Sequence, residues 1–205
     1  MKKMALDALR SEIRSHMDER RYRHTLGVEK EMLYMADGLA PELRYEASLA
    51  ALLHDITKCL SAEEQKAYCQ LHGLVIDHDE VLAPALLHAK TGAHYAKANY
   101  PAYVTDAVVQ AISSHTTAKP PLSLLSAMLF VADFTEEGRT YLDCLRLREL
   151  LHAKPLAGDA GRQHFKQVLL SAMELSIEEL LREGRPIALQ TVEARNSFLL
   201  GELLF

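Results

Sequence analysis

The sequence predicts an all-α protein that folds as a single domain of 205 residues. Apolar residues recur at intervals of three or four in most segments, for example at Val28, Met32 and Met35. No segment alternates strictly between apolar and polar residues, so no strand is predicted. The almost wholly apolar run 124–134 is longer than most strands, which favours a buried central helix.

The helices are expected in order along the whole chain. A first amphipathic helix carries Leu6, Leu9 and Ile13, and Ser61 with Glu64 has the pattern of a capping box. Residues 73–84 and 155–161 are predicted to be irregular. The remaining helices are predicted over about 20–39, 42–54, 84–88, 91–100, 104–115, 124–134, 142–151, 165–181 and 189–204.

Composition narrows the classes of function. The net charge is −5 without a basic cluster, which argues against nucleic acid as a partner. Three cysteines with no C-x-x-C spacing fit a reducing compartment. The N-terminal segment lacks the apolar stretch of a signal peptide, and no run of about 18 apolar residues predicts a membrane span. We therefore expect a cytoplasmic protein.

An abrupt change of chemistry marks the end of the third predicted helix. The apolar run 47–53 ends in His54 and Asp55. A buried histidine beside a buried carboxylate is costly unless each has a partner. Imidazole and carboxylate groups both bind divalent cations, so this pair predicts a metal site.

Four further residues complete the pattern. Asp133 interrupts a buried apolar run, where an unpaired carboxylate would be strongly unfavourable. Each of these residues lies on or near the end of a different predicted helix, as expected for a metal site inside a helical bundle. The set is His24, His88, His115 and Asp133.

Positive residues accompany this set and favour an anionic substrate. Arg21 lies one helical turn before His24, and Lys58, four residues after His54, is expected beside that residue if the helix continues that far. Arg139 follows Asp133 by six residues. Cations beside a metal suit a phosphate group. Taken singly, each of these residues would more often be a surface charge, and a lone histidine would more often be a packing residue.

The ordered set resembles the HD-domain metal-dependent phosphohydrolases, and within them the YqeK-type hydrolases. The resemblance covers nearly the whole chain. It rests on Arg21–Val28, Leu52–Lys58, Leu86–His88, His115-Thr116-Thr117, Val131–Phe134, Gly138-Arg139 and Ala194-Arg195-Asn196. One departure is Glu136-Glu137-Gly138, which stands where the family has a Glu-Pro-Gly-like turn.

The resemblance implies an HD-domain helical bundle with its core at about 18–140 and C-terminal helices at about 141–205 packed on it. It also implies a symmetrical bis(5′-nucleosyl)-tetraphosphatase, which cuts diadenosine tetraphosphate into two ADP. His24, His54, Asp55 and Asp133 would hold one or two divalent ions, typically iron, with manganese or cobalt as alternatives. The substrate would contact Arg21, Asp55, Lys58, His88, His115, Thr116, Asp133, Arg139 and Asn196.

Catalytic roles are assigned to Asp55, Lys58 and His88. Asp55 would orient the attacking water, Lys58 would neutralise phosphoryl charge, and His88 or His115 would contact the leaving ADP. Three alternatives share the same residues: an HD hydrolase of another nucleotide, a nucleotide-binding protein without turnover, and a di-iron oxygenase. A homodimer is also consistent with the sequence.

Overall fold

The computed structural model describes residues 5–201, which form eleven α-helices and no strand. The all-α prediction is therefore confirmed. The helices are α1 (Leu6–Ile13), α2 (Glu19–Leu39), α3 (Arg44–Leu53), α4 (Ala62–Leu71), α5 (His78–Leu82), α6 (Leu87–Asn99), α7 (Asp106–Ser114), α8 (Leu124–Thr135), α9 (Leu142–His152), α10 (Gly158–Arg182) and α11 (Leu189–Leu199).

Side-chain caps determine where several helices begin. At each of these helix starts, a side-chain oxygen accepts a backbone N–H that has no partner inside the helix. The predicted capping box is present at α4, and a second one opens α5. The caps are Asp18 on α2, Ser61 on α4, Asp77 on α5, Thr105 on α7 and Ser123 on α8.

The core is organised around α8. This helix packs against α2, α3, α7, α9 and α10, and its residues 125–132 are all buried. Val28, Met32 and Met35 on α2 are fully buried, as their spacing predicts. Because α2, α3 and α7 all contact α8, the ends of these helices bring distant parts of the chain together.

The structure corrects three predicted boundaries. The segment 73–84 is not wholly irregular, because Asp77 and Glu80 cap the short helix α5. The two helices predicted at 84–88 and 91–100 are a 3-10 turn, Pro84–Leu86, continuing directly into α6. Helix α10 begins at Gly158, seven residues before the predicted start, so the loop before it is shorter. Residues 202–204 of the last predicted helix lie outside the described residues.

No helix within residues 5–201 is long and apolar enough to cross a membrane.

Candidate metal centre and active site

Asp55 is the centre of a buried polar cluster inside the apolar core. Its Oδ2 atom lies 3.7 Å from Nε2 of His24 and 3.5 Å from Nε2 of His54. Its Oδ1 atom lies 3.2 Å from Nε2 of His88 and 3.6 Å from Nε2 of His115. The fold thus brings together four histidines that the sequence analysis selected from different helices.

Asp133 completes the cluster on the side of α2. Its Oδ1 atom lies 3.1 Å from Nε2 of His24. Ligand atoms of His24, His54 and Asp133 all lie within 4.8 Å of one another, and so do those of His54, Asp55 and His115. These two overlapping triads have the nitrogen and oxygen donors that divalent transition metals bind.

Backbone carbonyls orient three of the histidine rings. In each case Nδ1 faces the backbone carbonyl oxygen three residues earlier in the chain. With the proton on Nδ1, the lone pair on Nε2 points into the cluster. The pairs are His54 with Ala51 at 2.6 Å, His88 with Ala85 at 2.5 Å and His115 with Ile112 at 2.7 Å.

Glu136 orients the fourth ring, and sequence reasoning missed it. Its Oε1 atom lies 3.1 Å from Nδ1 of His24. The backbone N–H of Gly138 donates to Oε2 at 2.6 Å. A Cβ atom at Gly27 would lie only 2.6 Å from the same oxygen, so glycine there leaves room for the carboxylate. Carboxylate–histidine pairs of this kind fix the orientation of metal ligands. The sequence feature that could have identified Glu136 is its position as an acidic residue in the turn directly after α8.

Three buried atoms in the cluster have no hydrogen-bond partner among residues 5–201. They are Nε2 of His24, Nε2 of His54 and Oδ1 of Asp55. Unsatisfied buried polar atoms are costly, and their clustering at one centre needs an explanation. These atoms belong to residues of the two triads, where a bound divalent cation would supply the missing partner, so the residues present fit a metal ion.

The electrostatics also favour a cation. Burial alone would raise the pKa of Asp55, but the neighbouring His54, His115 and His88 outweigh it and hold that pKa well below its usual value. Burial likewise opposes ionisation of Asp133, yet Arg139 and His24 keep its pKa well below the usual value. Both carboxylates are therefore ionised at neutral pH and attract positive charge.

His24 and His88 respond to their surroundings in opposite ways. Burial lowers the pKa of His24, but the carboxylates of Asp133 and Glu136 outweigh it and raise the pKa to about 9. For His88 burial dominates over the contact with Asp55, so its pKa falls to about 4. His88 is therefore neutral at pH 7 and suited to accept a hydrogen bond, whereas a metal ion binding to His24 would displace the proton from its Nε2.

The three predicted cations lie at the rim of the cluster. Arg21 Nη1 donates to Asp55 at 2.5 Å, and Arg139 Nη2 donates to Asp133 at 2.5 Å. Both side chains remain about one-third exposed, so they also face solvent. An anion approaching the cluster would therefore meet both guanidinium groups.

Lys58 reaches the site by another route than predicted. Helix α3 ends at Leu53, so Lys58 is not one helical turn beyond His54. A turn in which the Lys58 N–H donates to the Asp55 carbonyl instead directs its ammonium group to His88, 3.1 Å from Nδ1. Burial lowers the pKa of Lys58, partly opposed by Asp55 and Asp133.

Two predicted substrate residues lie apart from these contacts. Thr116 directly follows His115 and is half-buried. Asn196 is exposed on α11. Within residues 5–201, no hydrogen bond or ion pair joins either side chain to the cluster, and their roles stay predictions.

A large open pocket adjoins the cluster at His24. It has a volume of about 860 Å³ and extends along the first three turns of α2 and the turn after α8. Such a volume is in the range of pockets that hold whole nucleotides. Its charged lining residues are Asp18, Arg20, Arg21, Arg23, Lys30, Glu136, Glu137 and Arg139.

Curated relatives and a solved structure match nearly the whole chain. The chain is 28% identical over 192 residues to the symmetrical bis(5′-nucleosyl)-tetraphosphatase of Halalkalibacterium halodurans, covering 93% of this chain and 95% of that protein. The Bacillus subtilis protein of the same name is 25% identical, with 92% and 95% covered. The crystal structure of a predicted HD superfamily hydrolase involved in NAD metabolism from Clostridium acetobutylicum superposes with a TM-score of 0.82 at 27% identity, covering 97% and 98% of the two chains.

The sequence pattern of the HD domain matches residues 21–138. This range begins at Arg21 and ends beside Arg139, and it contains His24, His54-Asp55 and Asp133. The matched residues are the ones that the fold gathers around one buried centre. The chain belongs to the HD domain family.

Proposed function

We propose that this protein is a metal-dependent hydrolase that cleaves diadenosine tetraphosphate symmetrically into two ADP. The observation that carries the proposal is the buried cluster, in which His24, His54 and Asp55 have unpartnered atoms. Phosphate-binding cations surround the same centre. The names of the two curated relatives support the choice of substrate.

His24, His54, Asp55 and Asp133 would hold the metal ion, and iron is our first choice, with manganese or cobalt as alternatives. When bound, such an ion polarises a phosphoryl oxygen and makes water more acidic. The second triad, which adds His115 to His54 and Asp55, offers a place for a second ion.

The protein's own residues would then position the polyphosphate. Arg21 and Arg139, already within hydrogen-bond distance of Asp55 and Asp133, would neutralise charge on the phosphoryl oxygens. Lys58 would donate to the phosphoryl group under attack or to the leaving phosphate. Its ammonium group is held at His88, on the opposite side of Asp55 from His24.

In the proposed reaction water attacks one of the two inner phosphorus atoms. Asp55 accepts a hydrogen bond from the water and orients it. The bond to the bridging oxygen between the two inner phosphates breaks, and that oxygen leaves with the second ADP. Neutral His88 would accept a hydrogen bond from the Lys58 ammonium group, 3.2 Å from its Nε2, and so would position Lys58 to donate to the leaving oxygen. Thr116 and Asn196 would contact the substrate outside the reacting centre.

Product analysis tests this proposal directly. Purified protein is incubated with dinucleoside polyphosphates and simple nucleotides in the presence of iron, manganese or cobalt, and the products are separated by chromatography. We expect ADP as the only product of diadenosine tetraphosphate, with the oxygen-18 label from water on the β-phosphate of one ADP. Formation of AMP and ATP would mean attack at an outer phosphorus and would contradict symmetrical cleavage. Exclusive turnover of another nucleotide would reassign the substrate.

A further inference from the structure

The turn that carries Lys58 is held by a closed ring of buried hydrogen bonds. The side-chain amide of Gln65 on α4 donates to the backbone carbonyl of Thr57 at 2.6 Å. The amide oxygen of the same side chain accepts the hydroxyl of Thr91 on α6. The hydroxyl oxygens of Thr57 and Thr91 lie 2.8 Å apart. The ring thus begins and ends on Thr57, the residue directly before Lys58.

The three members of the ring are removed from solvent. Thr57, Gln65 and Thr91 are exposed by only 5%, 3% and 0%. Buried polar groups are tolerated when they are hydrogen-bonded, and bonds in a connected ring polarise one another. Because a hydroxyl has a single proton to donate, loss of one member changes the partners of the other two. The three side chains therefore act as a unit.

The ring docks the turn onto α6, the helix that carries His88. The Thr57 hydroxyl lies 3.1 Å from the backbone carbonyl oxygen of His88, and the Lys58 ammonium group lies beside the ring of the same histidine. Helix α6 can approach the turn because residue 92 is glycine. A Cβ atom at Gly92 would lie 3.2 Å from the carbonyl oxygen of His54 and 3.5 Å from Thr57 Oγ1. The contact between Lys58 and His88 therefore depends on how the turn packs against α6.

Little else fixes the Lys58 side chain. In the part of the chain that the structure describes, residues 5–201, its ammonium group forms hydrogen bonds with His88 and with no other residue. A lysine side chain has many rotamers, so one contact at its tip restricts it weakly unless the backbone is fixed as well. None of the three ring residues lines the open pocket beside His24. The ring therefore influences the reaction through the turn and not by contact with the substrate.

We propose that this ring positions Lys58 for the reaction, with Gln65 as a positioning residue that never touches the substrate. It fixes the turn after α3 against α6 and so keeps the ammonium group beside His88. The inference rests on the proposed function for the role of that ammonium group at the leaving oxygen. Opening the ring lets the turn move away from α6, and a displaced cation stabilises the developing charge less. Substrate binding through Arg21 and Arg139 stays intact, so kcat falls while KM does not rise.

Three variants separate the hydrogen bonds of the ring from its packing. Gln65→Met keeps the length of the side chain and removes both polar ends, the near-isosteric Thr91→Val removes a hydroxyl, and Thr91→Ser keeps it. Rates are measured on diadenosine tetraphosphate or on whichever nucleotide the protein hydrolyses. We expect the first two variants to lower kcat by about ten-fold with KM within about two-fold of wild type, and Thr91→Ser to keep kcat within about two-fold. Equal kcat in Thr91→Val and Thr91→Ser, or a rise in KM without a fall in kcat, would overturn the proposal.

The His88 ring reports on the ammonium group without any turnover. In NMR spectra of protein with nitrogen-15 in its histidine rings, Lys58→Ala identifies the change of the His88 signal that follows loss of the ammonium group. Gln65→Met should shift this signal in the same direction. An unchanged signal would overturn the positioning role even if the variant is less active. Because this measurement needs no substrate, it supports the ring even if diadenosine tetraphosphate proves not to be cleaved, so the two proposals fail separately.

Gln70→Met is the matched control, because Gln70 lies on the same helix and is exposed. It should leave kcat, KM and the His88 signal unchanged. A loss of kcat as large as that of Gln65→Met would mean that any change on α4 disturbs the site, and would also overturn the proposal. If Gln65→Met fails to fold by circular dichroism, Thr91→Val decides with both measurements, and a wild-type rate and His88 signal in that variant would count against the ring.

Discussion

Arg148 on α9 holds the turn that follows α8. Its Nε donates to the carbonyl of Thr135 at 2.6 Å, and its Nη2 donates to the carbonyls of Glu136 and, at 2.9 Å, Arg139. This turn carries both the carboxylate behind His24 and one of the cations at the cluster rim. Replacing Arg148 with methionine keeps most of the apolar stem and removes all three hydrogen bonds.

The expected loss of stability follows from those three bonds. Each is charge-assisted, but the guanidinium is half-buried and water can replace part of what is lost. At about 1 kcal/mol per bond, Arg148→Met should lower the free energy of unfolding by about 3 kcal/mol. For a domain of this size, that corresponds to a decrease in Tm of roughly 6–12 °C.

Arg146→Met provides a matched control on the same helix. Its side chain is 67% exposed and makes one long ion pair with Asp143 at 3.9 Å, so its loss should cost less than about 0.5 kcal/mol. Urea unfolding and thermal melts of both variants measure the difference, and metal analysis reports on the turn. We also expect Arg148→Met to bind metal more weakly, since Glu136 loses its fixed backbone.

Equal stability of the Arg148→Met and Arg146→Met variants would refute this reasoning. It would mean that water or neighbouring groups satisfy the three carbonyls without cost. A loss of stability with unchanged metal affinity would restrict Arg148 to a structural role and would contradict its connection to the site through Glu136.

The other predictions concern the metal centre itself. His54→Ala and Asp55→Ala should each lose stoichiometric metal and activity, and elemental analysis showing full metal in both would disprove the ligand assignment. Lys58→Ala should keep the metal but lose turnover, because the Lys58 ammonium group lies beside the imidazole of His88 in the proposed active site. Hydrolysis at the wild-type rate would show that Lys58 has no catalytic role. Gly27→Ala should force Glu136 to shift and weaken metal affinity by about ten-fold. Unchanged affinity in a titration with manganese would show that the carboxylate adjusts without disturbing His24.

Local sequence patterns were sufficient for most of the helices. The apolar spacing on α2 and the apolar run of α8 result from burial of a helix face or of a whole helix, which acts over short stretches of chain. The capping box joins Ser61 to Glu64, only three residues later, so the sequence could predict it as well. Helix α5 was missed because it has only five residues and lies between turn-forming residues.

The residues of the candidate site were also selected from local signals. His54, Asp55 and Asp133 stand out because polar groups interrupt apolar runs that must be buried. Those signals indicate that each buried polar group needs a binding partner. Only the fold brings these groups together in one cluster around Asp55. The position of Lys58 could not be derived in this way, since it depends on whether α3 continues or ends at Leu53.

The sequence by itself determined the helical class, most of the helices and the residue types able to hold a cation, because each depends on neighbours within a few positions. Only the tertiary structure decided what surrounds them. Glu136 contacts His24 across 112 residues of sequence. Arg148, on α9, donates to backbone carbonyls of the turn after α8, which is a different element. Thr57, in the turn after α3, contacts Thr91 on α6 across 34 residues. Such contacts depend on how whole helices pack against α8, and no short-range periodicity records that arrangement.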